Sequence, residues 1–400
     1  MNPDDRWLLP AGIDEVLPPD AARLEQQRRA LLDLFSSWGY SLVVPPSIDF
    51  LDSLLTGMGQ DLDLQTFKLT DQISGRLMGV RADMTPQVAR IDAHSWVSEG
   101  PTRLCYLGTT LNTRPQGIFG SRSPMQVGAE LYGHTGVESD VEILWLMVEA
   151  LGLFGHRDAH VDVGHVGIFR GLSQSAGLSS AQERTLFDII QRKARAEMEE
   201  AVGALPISAD YREMLLALVD LNGGSEVLEQ AERSLAAAPA EVGACVQALK
   251  DLSQTFGARV PDVSLHYDLA DLRGYAYHTG IAFAAFVPGH GEEIARGGRY
   301  DGIGEAFGRG RPATGFSADV KTLAALASVE TSDKEDGILA PWGGDAALFE
   351  TVRTLREQGE RVVFDLPGAA TAAKNLGCSR VLLKNDGAWA VVAADQATSA

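Results

Sequence analysis

The stretch of sequence that decides the fold is "LRGYAYHTGIAF", residues 272–283. Its alternation and its aromatic residues predict a β-strand, because such side chains suit a pleated, half-buried surface. A plain core strand would carry Val and Ile at positions where this one carries Arg273, Tyr275, Tyr277 and His278. On a regular strand Arg273 and Tyr277 share one face, and His278 points to the opposite face. These polar side chains indicate either ligand contacts or unusual packing, and the surrounding sequence must decide between the two.

Strand patterns stand on both sides of a long helical segment that precedes this stretch. Residues 167–260 are rich in Ala, Leu and Glu with helical periodicity, which predicts a helical insertion. Antiparallel strands before and after it predict one α+β domain, an antiparallel sheet flanked by helices, over residues 1–329. Helix and strand alternate in residues 330–400, which predicts a small C-terminal α/β domain. A shorter helix is predicted from "TPQVARIDAHSWV", with Thr85 as its N-cap and Pro86 at its first position.

The chain holds 34 Lys and Arg against 54 Asp and Glu, a formal net charge of −20. Such a charge repels phosphate backbones and argues against a nucleic-acid surface. The three cysteines stand far apart without a CxxC pair, which argues against a metal site and fits a reducing compartment. The acidic start "MNPDDRWLLP" does not read as a signal peptide, and the most apolar helical pattern, residues 141–155, is too short and too charged for a membrane. We expect a cytoplasmic protein that does not enter a membrane.

Several side chains suit a free amino acid as ligand. Its ammonium needs carboxylate or carbonyl acceptors, and its carboxylate needs a cation, ideally a forked one. Asp83 ends one predicted strand, and Gln126 and Glu130, four residues apart on another, share a face of that strand. Tyr300 lies in "GGRYDG", where the glycines permit a close approach of the backbone. Together with Arg273 of the opening stretch, these residues predict an amino-acid-sized site.

Each of these residues also has a structural interpretation, and spacing alone leaves both open. Glu130 and Arg273 could form a buried structural ion pair. Tyr277 and Tyr300 could be core aromatic residues whose hydroxyls are satisfied by the protein. His278, as a single histidine, could serve packing alone.

Five peptides in their order resemble the catalytic domain of histidyl-tRNA synthetase: "RADMTPQVARI", "MQVGAELYG", "RGYAYHTG", "RGGRYDGIG" and "RPATGF". The resemblance covers about residues 5–325 and implies the fold of a class II aminoacyl-tRNA synthetase, in a family that has a helical insertion at the same place. It also implies a histidine-binding pocket. The positions that match this pocket are Asp83, Thr85, Gln126, Glu130, Arg273, Tyr277, His278 and Tyr300.

The resemblance implies a role for most of these side chains. The ligand ammonium would meet Asp83 and Gln126, with Glu130 as a further candidate, and Arg273 would meet the ligand carboxylate. The ligand imidazole would meet Glu130, Tyr277 or His278. Asp83 is one carbon shorter than the Glu of the synthetase, so its contact with the ammonium could be indirect.

The sequence differs from the synthetase in motif 2, where that enzyme has an arginine that holds ATP. The synthetase reads roughly Phe-Arg-x-Glu-Arg-Pro, whereas this chain reads "LNTRPQ", one residue shorter, with Asn112 or Thr113 near the place of the arginine. Arg114 matches the later Arg-Pro and is a candidate loop contact with the ligand. Arg114 and Arg122 both lie in a predicted loop, where solvation is the simplest expectation.

Motif 3 departs as well. It should end in Glu-Arg, whereas "GFSADVKTL" has Lys321 and Thr322 there. Adenylation develops charge on the α-phosphate, and the loss of one cation that holds this charge lowers the rate on the order of 10²–10³-fold. With both arginines absent, we expect no catalytic residues, no cofactor and no activation of histidine.

The C-terminal segment does not resemble an anticodon-binding domain, because residues 331–400 hold seven Lys and Arg against ten Asp and Glu, a net charge of −3. A histidine pocket without adenylation or anticodon reading resembles the regulatory subunits of ATP phosphoribosyltransferase, the first enzyme of histidine biosynthesis. That resemblance implies L-histidine as the allosteric ligand and the short-form catalytic subunit as the partner. It also implies a dimer through the region of Pro45 and Pro46, within a hetero-octamer-like complex. Two alternatives remain, an active histidyl-tRNA synthetase and a histidine-sensing module for another partner.

Overall fold

The structure, a computed structural model, describes residues 7–56, 60–96, 98–115, 117, 120–270, 274–275, 277–327, 336–368 and 373–395. The chain divides into two compact units, Met1–Val329 and Glu330–Ala400. Among the helices in these described ranges, none is long and apolar enough to cross a membrane.

The first unit contains twelve of the described strands and thirteen of the described α-helices. The strands are β1 (Ser41–Leu42), β2 (Ile48–Phe50), β3 (Phe67–Thr70), β4 (Leu77–Val80), β5 (Thr102–Thr109), β6 (Met125–Tyr132), β7 (His160–His165), β8 (Asn222–Gly223), β9 (Leu265–Asp268), β10 (Ile281–Phe286), β11 (Ala295–Arg299) and β12 (Ala313–Asp319). The helices are α1 (Asp20–Ser37), α2 (Leu51–Leu55), α3 (Gln60–Gln65), α4 (Thr85–Arg90), α5 (Val137–Gly152), α6 (Val166–Ser175), α7 (Ser180–Gln191), α8 (Arg195–Gly203), α9 (Ala209–Asp220), α10 (Glu226–Ser234), α11 (Ala240–Gly257), α12 (Ile303–Ala306) and α13 (Val320–Ala325).

Nine of these strands form one sheet, in the order β1-β5-β6-β12-β11-β10-β7-β9-β8. Neighbouring strands are antiparallel except for the pairs β1–β5 and β7–β9. A second sheet of three antiparallel strands, β2-β4-β3, precedes it in the chain. The mainly antiparallel sheet with flanking helices agrees with the predicted α+β class.

Strand β6 separates two apolar cores because its side chains alternate between the two faces of the sheet. Val127, Ala129 and Leu131 belong to the large core, which also contains the buried residues of α1 and α5. Tyr132 belongs to a smaller core on the other face, where residues of α4 and α12 pack. Glu130 lies on this second face, beneath α4. The sheet therefore presents a carboxylate to a compact layer of aromatic and apolar residues.

Helices α6 to α11 form the helical insertion between β7 and β9, interrupted only by the two-residue strand β8 among its described residues. Each of its helices contributes buried apolar residues to the large core. The helical periodicity of this segment therefore predicts its structure correctly, and the first helix begins at Val166.

Two local predictions are wrong. The strand predicted for residues 272–283 begins only at Ile281, because residues 274 to 280 form turns where they are described. Gly274 has φ of +66°, and its carbonyl accepts hydrogen bonds from the N–H groups of Tyr277 and His278 at 2.8 and 2.7 Å. The N–H groups of Tyr277 and His278 are therefore used within the turn and cannot pair with a neighbouring strand. Strand alternation does not determine the directions of the side chains in this segment. The N-cap of α4 is Met84, and Thr85 is the first helical residue.

The second unit contains β13 (Gly337–Pro341), β14 (Val362–Asp365), β15 (Cys378–Asn385) and β16 (Ala388–Ala393). They form a four-stranded sheet in the order β14-β13-β15-β16, with the first two pairs parallel and the last antiparallel. Leu348 and Val352 of its helix pack on Ile338, Val362 and Leu382 of the sheet. Helix α14 (Ala346–Glu357) lies between β13 and β14 in the chain, and a 3-10 helix (Ala373–Leu376) precedes β15. Helix and strand alternate here as the sequence predicts.

Candidate functional site

Glu130 is the centre of the site on the sheet. Its side chain is 1% exposed. Its Oε1 accepts hydrogen bonds from the Tyr106 hydroxyl at 3.0 Å and the Thr85 hydroxyl at 3.3 Å, and its Oε2 accepts from the Tyr300 hydroxyl. In the described part of the chain these three hydroxyl groups are its hydrogen-bond partners, and no salt bridge to it is found there. Burial raises the pKa of Glu130 to about 8, although the bonds from Tyr300 and Tyr106 act in the opposite direction.

Asp83 and Gln126 extend this network at the start of α4. Asp83 Oδ1 accepts from the Thr85 N–H at 2.9 Å and from Gln126 Nε2 at 2.8 Å. Gln126 Oε1 accepts from the Met84 N–H at 2.9 Å. The amide of Gln126 therefore fixes the segment before α4 to β6. Since carboxylate and amide oxygens each hold more than one lone pair, both side chains can still accept a bond from a ligand ammonium.

Tyr277 and Tyr300 form the aromatic wall of the site. Their rings stack with centroids 5.0 Å apart and planes 22° apart. The Tyr300 hydroxyl binds Glu130, whereas the Tyr277 hydroxyl is buried and has no hydrogen-bond partner in the described structure. A buried hydroxyl without a partner is disfavoured by about 1–3 kcal/mol, so this group marks a place where a ligand would supply the missing bond.

His278 follows Tyr277, with ring centroids 5.5 Å apart. Both lie in the turn that begins at Gly274, where a Cβ would come within 2.7 Å of His278 Nδ1. Only glycine fits this position, because its φ is in the left-handed region and the imidazole covers it. Arg273, the predicted contact for a ligand carboxylate, lies outside the described residues.

The structure therefore brings together seven of the eight predicted site residues. A continuous chain of hydrogen bonds joins five of them, Asp83, Gln126, Thr85, Glu130 and Tyr300. Ring contacts add Tyr277 and then His278. Their role as ligand contacts stays a prediction.

The loop between β5 and β6 carries two arginines that were expected to be solvated, and the structure agrees for one of them. Arg114 is exposed, as expected of a solvated loop residue. Arg122 is half-buried instead: its guanidinium donates to the Asn112 and Ala11 carbonyls at 3.1 and 3.0 Å and lies 5.4 Å from the centroid of the Phe67 ring. Asn112 is buried, with its Oδ1 unpartnered in the described structure.

Lys321 and Thr322, which stand in place of the Glu-Arg of motif 3, both make contacts within this chain. Lys321 Nζ lies 3.2 Å from Asp14 Oδ2 and donates to the Ser123 hydroxyl, also at 3.2 Å. The Thr322 hydroxyl donates to Asp319 Oδ2 at 2.7 Å. Asp319 in turn caps α13 by accepting from the Lys321 N–H. Lys321 and Thr322 thus bond to the N-cap residue of α13 in this structure.

Sequence reasoning missed two contributors to the site. Tyr106 supplies a hydroxyl to Glu130 and lies directly opposite Gly128 in the β5–β6 pair, where a Cβ would overlap its ring. Gly315 lies opposite Glu130 in the β6–β12 pair, where a Cβ would overlap Glu130 Oε2. A glycine facing a large side chain across an antiparallel pair is the signal that could have found both.

One group of metal-ligand types occurs among the described residues, far along the same sheet. His160 Nε2 and His266 Nδ1 each lie 2.9 Å from Asp162 Oδ1, on the neighbouring strands β7 and β9. These contacts have the length of ordinary hydrogen bonds between imidazole and carboxylate. The expectation that the protein holds no metal stays a prediction.

Comparisons with known proteins agree with this fold. Residues 12–323 match the family described as histidyl-tRNA synthetase. A Bacillus halodurans protein described as an ATP phosphoribosyltransferase regulatory subunit/histidyl-tRNA synthetase superposes with a TM-score of 0.81 at 24% identity, over 92% of this chain and 95% of that chain. Histidyl-tRNA synthetase from Nostoc sp. PCC 7120 superposes with a TM-score of 0.78 at 18% identity, over 98% of each chain. The fold and the matched residues define a protein of the histidyl-tRNA synthetase class, and the predicted class II synthetase-like fold is confirmed.

Relatives of higher sequence identity show which family within this class the chain belongs to. Residues 335–392 match the family described as the ATP phosphoribosyltransferase subunit HisZ C-terminal domain. The chain is 56% identical to the ATP phosphoribosyltransferase regulatory subunit of Alkalilimnicola ehrlichii, over 97% of each chain. It is 57% identical to that of Thioalkalivibrio sulfidiphilus, over 96% of this chain and 98% of the relative. The chain belongs to the family of ATP phosphoribosyltransferase regulatory subunits, and it is a regulatory chain rather than an enzyme.

Proposed function

We propose that this chain binds L-histidine at the Glu130 site and uses it to regulate ATP phosphoribosyltransferase at the first step of histidine biosynthesis. It assembles with the short-form catalytic subunit in the cytoplasm, activates that subunit and transmits feedback inhibition when histidine is bound. The names of the relatives support the partnership with ATP phosphoribosyltransferase. A dimer of this chain inside a hetero-octamer-like complex is part of the same proposal.

The observation that carries the proposal is the buried carboxylate of Glu130 with hydroxyl partners beside the unpartnered Tyr277 hydroxyl. A buried carboxylate favours an opposite charge or an N–H donor, because burial disfavours its ionised form. The imidazole of histidine offers an N–H at each ring nitrogen when it is protonated. One ring N–H can therefore donate to Glu130. The other ring nitrogen can bond to the Tyr277 hydroxyl, which both donates and accepts.

The ligand backbone has suitable partners in the same network. Its ammonium can donate to Asp83 and to the Gln126 carbonyl oxygen, both of which hold unused acceptor capacity. By the resemblance, Arg273 meets the ligand carboxylate. A site that binds both ends of a zwitterion and its side chain selects one amino acid, because each mismatched ligand would leave a buried polar group unpaired.

Regulation requires that histidine prefer one of two states of the complex. A difference of about 1–3 kcal/mol in histidine binding between the two states gives 5–150-fold control. The turn from Gly274 to Gly280 is the element at the site that can supply such a difference, since it carries Tyr277 and contacts the ligand side chain. The chain performs no reaction on the histidine, because Lys321 and Thr322 stand where the adenylating enzyme has Glu-Arg.

The test is reconstitution with the short-form catalytic subunit. We expect the chain to raise transferase activity on mixing and to make that activity sensitive to histidine. Glu130→Gln should keep assembly and activation but lose inhibition, with histidine affinity reduced about 10- to 150-fold, the value of a hydrogen bond to a charged group. Glu142→Gln is the matched control, because Glu142 also accepts from a tyrosine hydroxyl, that of Tyr40, but on α5. Normal histidine inhibition of the Glu130→Gln complex would show that the site is misassigned.

Arg273→Ala provides a second test of the ligand's orientation. It should weaken histidine inhibition and leave assembly intact. Histidine-dependent exchange of pyrophosphate into ATP would instead establish an active histidyl-tRNA synthetase. Histidine binding without any effect on the transferase would favour a sensing module for another partner.

A further inference from the structure

The turn that carries Tyr277 and His278 is bound by α6, the first helix of the insertion. Arg170 Nη2 donates to the main-chain carbonyls of Tyr275 at 2.6 Å and His278 at 3.2 Å. The Val166 N–H donates to the Gly280 carbonyl at 3.2 Å. Three carbonyls of the described turn residues, those of Tyr275, His278 and Gly280, therefore accept from one helix. A movement of the turn must break these bonds or carry α6 with it.

The side chain of Tyr275 extends this connection to the next helix. Its ring lies between Phe169 of α6 and Phe187 of α7, with centroid distances of 5.7 and 5.4 Å. The Arg170 guanidinium lies 4.8 Å from the ring centroid, and the Tyr275 hydroxyl donates to Glu183 Oε1 of α7. Burial raises the pKa of the Tyr275 hydroxyl, so it remains a donor at neutral pH.

Tyr275 and Tyr277 thus connect one short turn to two different parts of the first unit. Tyr275 is held between α6 and α7, and Tyr277 stacks on Tyr300, whose hydroxyl binds Glu130. A ligand at Glu130 that engages the Tyr277 hydroxyl also fixes the backbone two residues away. Apolar packing alone would let the Tyr275 ring shift, whereas the bond to Glu183 and the guanidinium above the ring fix its direction.

We propose that the helical insertion responds to occupancy of the histidine site, with Tyr275 as the positioning residue that couples the two. This inference rests on the proposed function, because it assumes that histidine binds beside Glu130. Histidine holds Tyr277 and with it the turn, and Tyr275 with Arg170 then restrains the α6–α7 pair. The insertion is therefore the element that distinguishes the histidine-bound chain from the free chain.

The experiment is hydrogen–deuterium exchange of the full chain with and without L-histidine, read on peptides covering α6 and α7. Histidine should slow exchange there about 2- to 10-fold, the value of one hydrogen bond, as well as in β6. In Tyr275→Phe the slowing in α7 should be lost, and the dissociation constant for histidine should rise about 2- to 10-fold. Tyr211→Phe, which removes a phenol hydroxyl on α9 of the same insertion, is the matched control and should behave like the parent chain.

Titration calorimetry with histidine on the same samples separates the outcomes. Binding that slows exchange in β6 but leaves α6 and α7 unchanged would overturn this inference and leave the proposed function standing. An absence of binding would overturn both. If Tyr275→Phe does not fold, Glu183→Gln weakens the same bond without altering the turn. A Glu183→Gln chain that transmits histidine binding to α7 as the parent does would then count against the inference.

Discussion

At the scale of single residues, the protein keeps a carboxylate in a place that disfavours its charge. Glu130 is buried against three hydroxyl groups, and hydroxyls stabilise a carboxylate less than a cation does. The sequence alone placed this residue on the correct face of β6 because strand alternation determines the face. It did not predict the protonation state, which depends on Tyr106 of β5, Thr85 of α4 and Tyr300, the residue after β11, which only the folded chain brings together.

The raised pKa of Glu130 predicts how stability changes with pH. The folded chain holds the proton to about pH 8, whereas the unfolded chain releases it near 4.5. Stability from this group is therefore fully present below about pH 4.5 and is lost as the pH rises towards 8. Glu130→Gln imitates the protonated form, so its free energy of unfolding relative to the parent chain should rise with pH by up to about 1.4 kcal/mol per unit in this window.

Urea unfolding of both proteins without histidine, from pH 5 to pH 8.5, measures this difference. The other ionisable side chains are the same in both proteins, so their contributions cancel when the two free energies are subtracted. A difference that does not change with pH would mean that Glu130 ionises normally in the folded protein.

The two tyrosines with contrasting hydroxyls predict opposite mutational effects. The Tyr277 hydroxyl has no partner in the described structure, so Tyr277→Phe should leave the free energy of unfolding unchanged or raise it by up to about 1 kcal/mol. The Tyr106 hydroxyl contacts Thr85 and Glu130, so Tyr106→Phe should lower it by about 1–3 kcal/mol. Tyr277→Phe should nevertheless weaken histidine binding about 2- to 10-fold. Chemical unfolding and calorimetry measure the two quantities, and equal losses of stability in both variants would contradict the assignment of Tyr277 as a ligand contact.

At the scale of elements, the opening stretch shows what periodicity can and cannot predict. Residues from Ile281 onward form β10 as predicted, and their unbroken apolar run fits a strand that is buried on both faces. The described residues before it, 274–275 and 277–280, form turns instead. The N–H groups of Tyr277 and His278 bond to the Gly274 carbonyl, and carbonyls of the turn accept from α6. A segment held by a distant helix has no signal in its own sequence, so Tyr275 could not be placed there from the sequence.

Strand β12 meets β6 at a glycine that the site requires. A Cβ at Gly315 would overlap Glu130 Oε2 and lie 2.8 Å from the Ala129 carbonyl oxygen. Gly315→Ala should therefore displace Glu130, lower the free energy of unfolding by about 1–3 kcal/mol and abolish histidine binding in calorimetry. Gly243→Ala is the control, because a Cβ there meets nothing within 4 Å inside helix α11, and alanine should stabilise that helix by about 0.5–1 kcal/mol. Histidine binding by Gly315→Ala at the parent's affinity would contradict the proposed position of the ligand.

At the scale of the whole molecule, the chain has separate cores. The two clusters that surround the site belong to the first unit, and a third cluster belongs to the second unit. Antiparallel strand patterns around a helical insertion predicted the first architecture, and alternation of helix and strand predicted the second, because each core is built from local amphipathic patterns. The order of strands in the large sheet could not be predicted in this way, since the helical insertion separates β7 from its partner β9 in sequence.

Separate cores predict that residues 1–329 alone keep the histidine site. This truncated chain should fold and bind histidine with a dissociation constant within about 2-fold of the full chain's, as expected when distant regions contribute independently. Calorimetry on the two chains, with circular dichroism to establish folding, makes the comparison. Loss of binding in a folded truncated chain would show that the second unit contributes to the site.

The stacked rings of Tyr277 and Tyr300 have an optical consequence. Two phenols held at 5.0 Å with nearly parallel planes couple their electronic transitions, and this coupling depends on their mutual angle. Because Tyr300 is anchored to Glu130 and Tyr277 belongs to the turn, a ligand that rotates one ring against the other changes the near-ultraviolet circular dichroism. The protein thus contains an intrinsic chromophore pair, through which occupancy can be followed in real time without a dye or an added label.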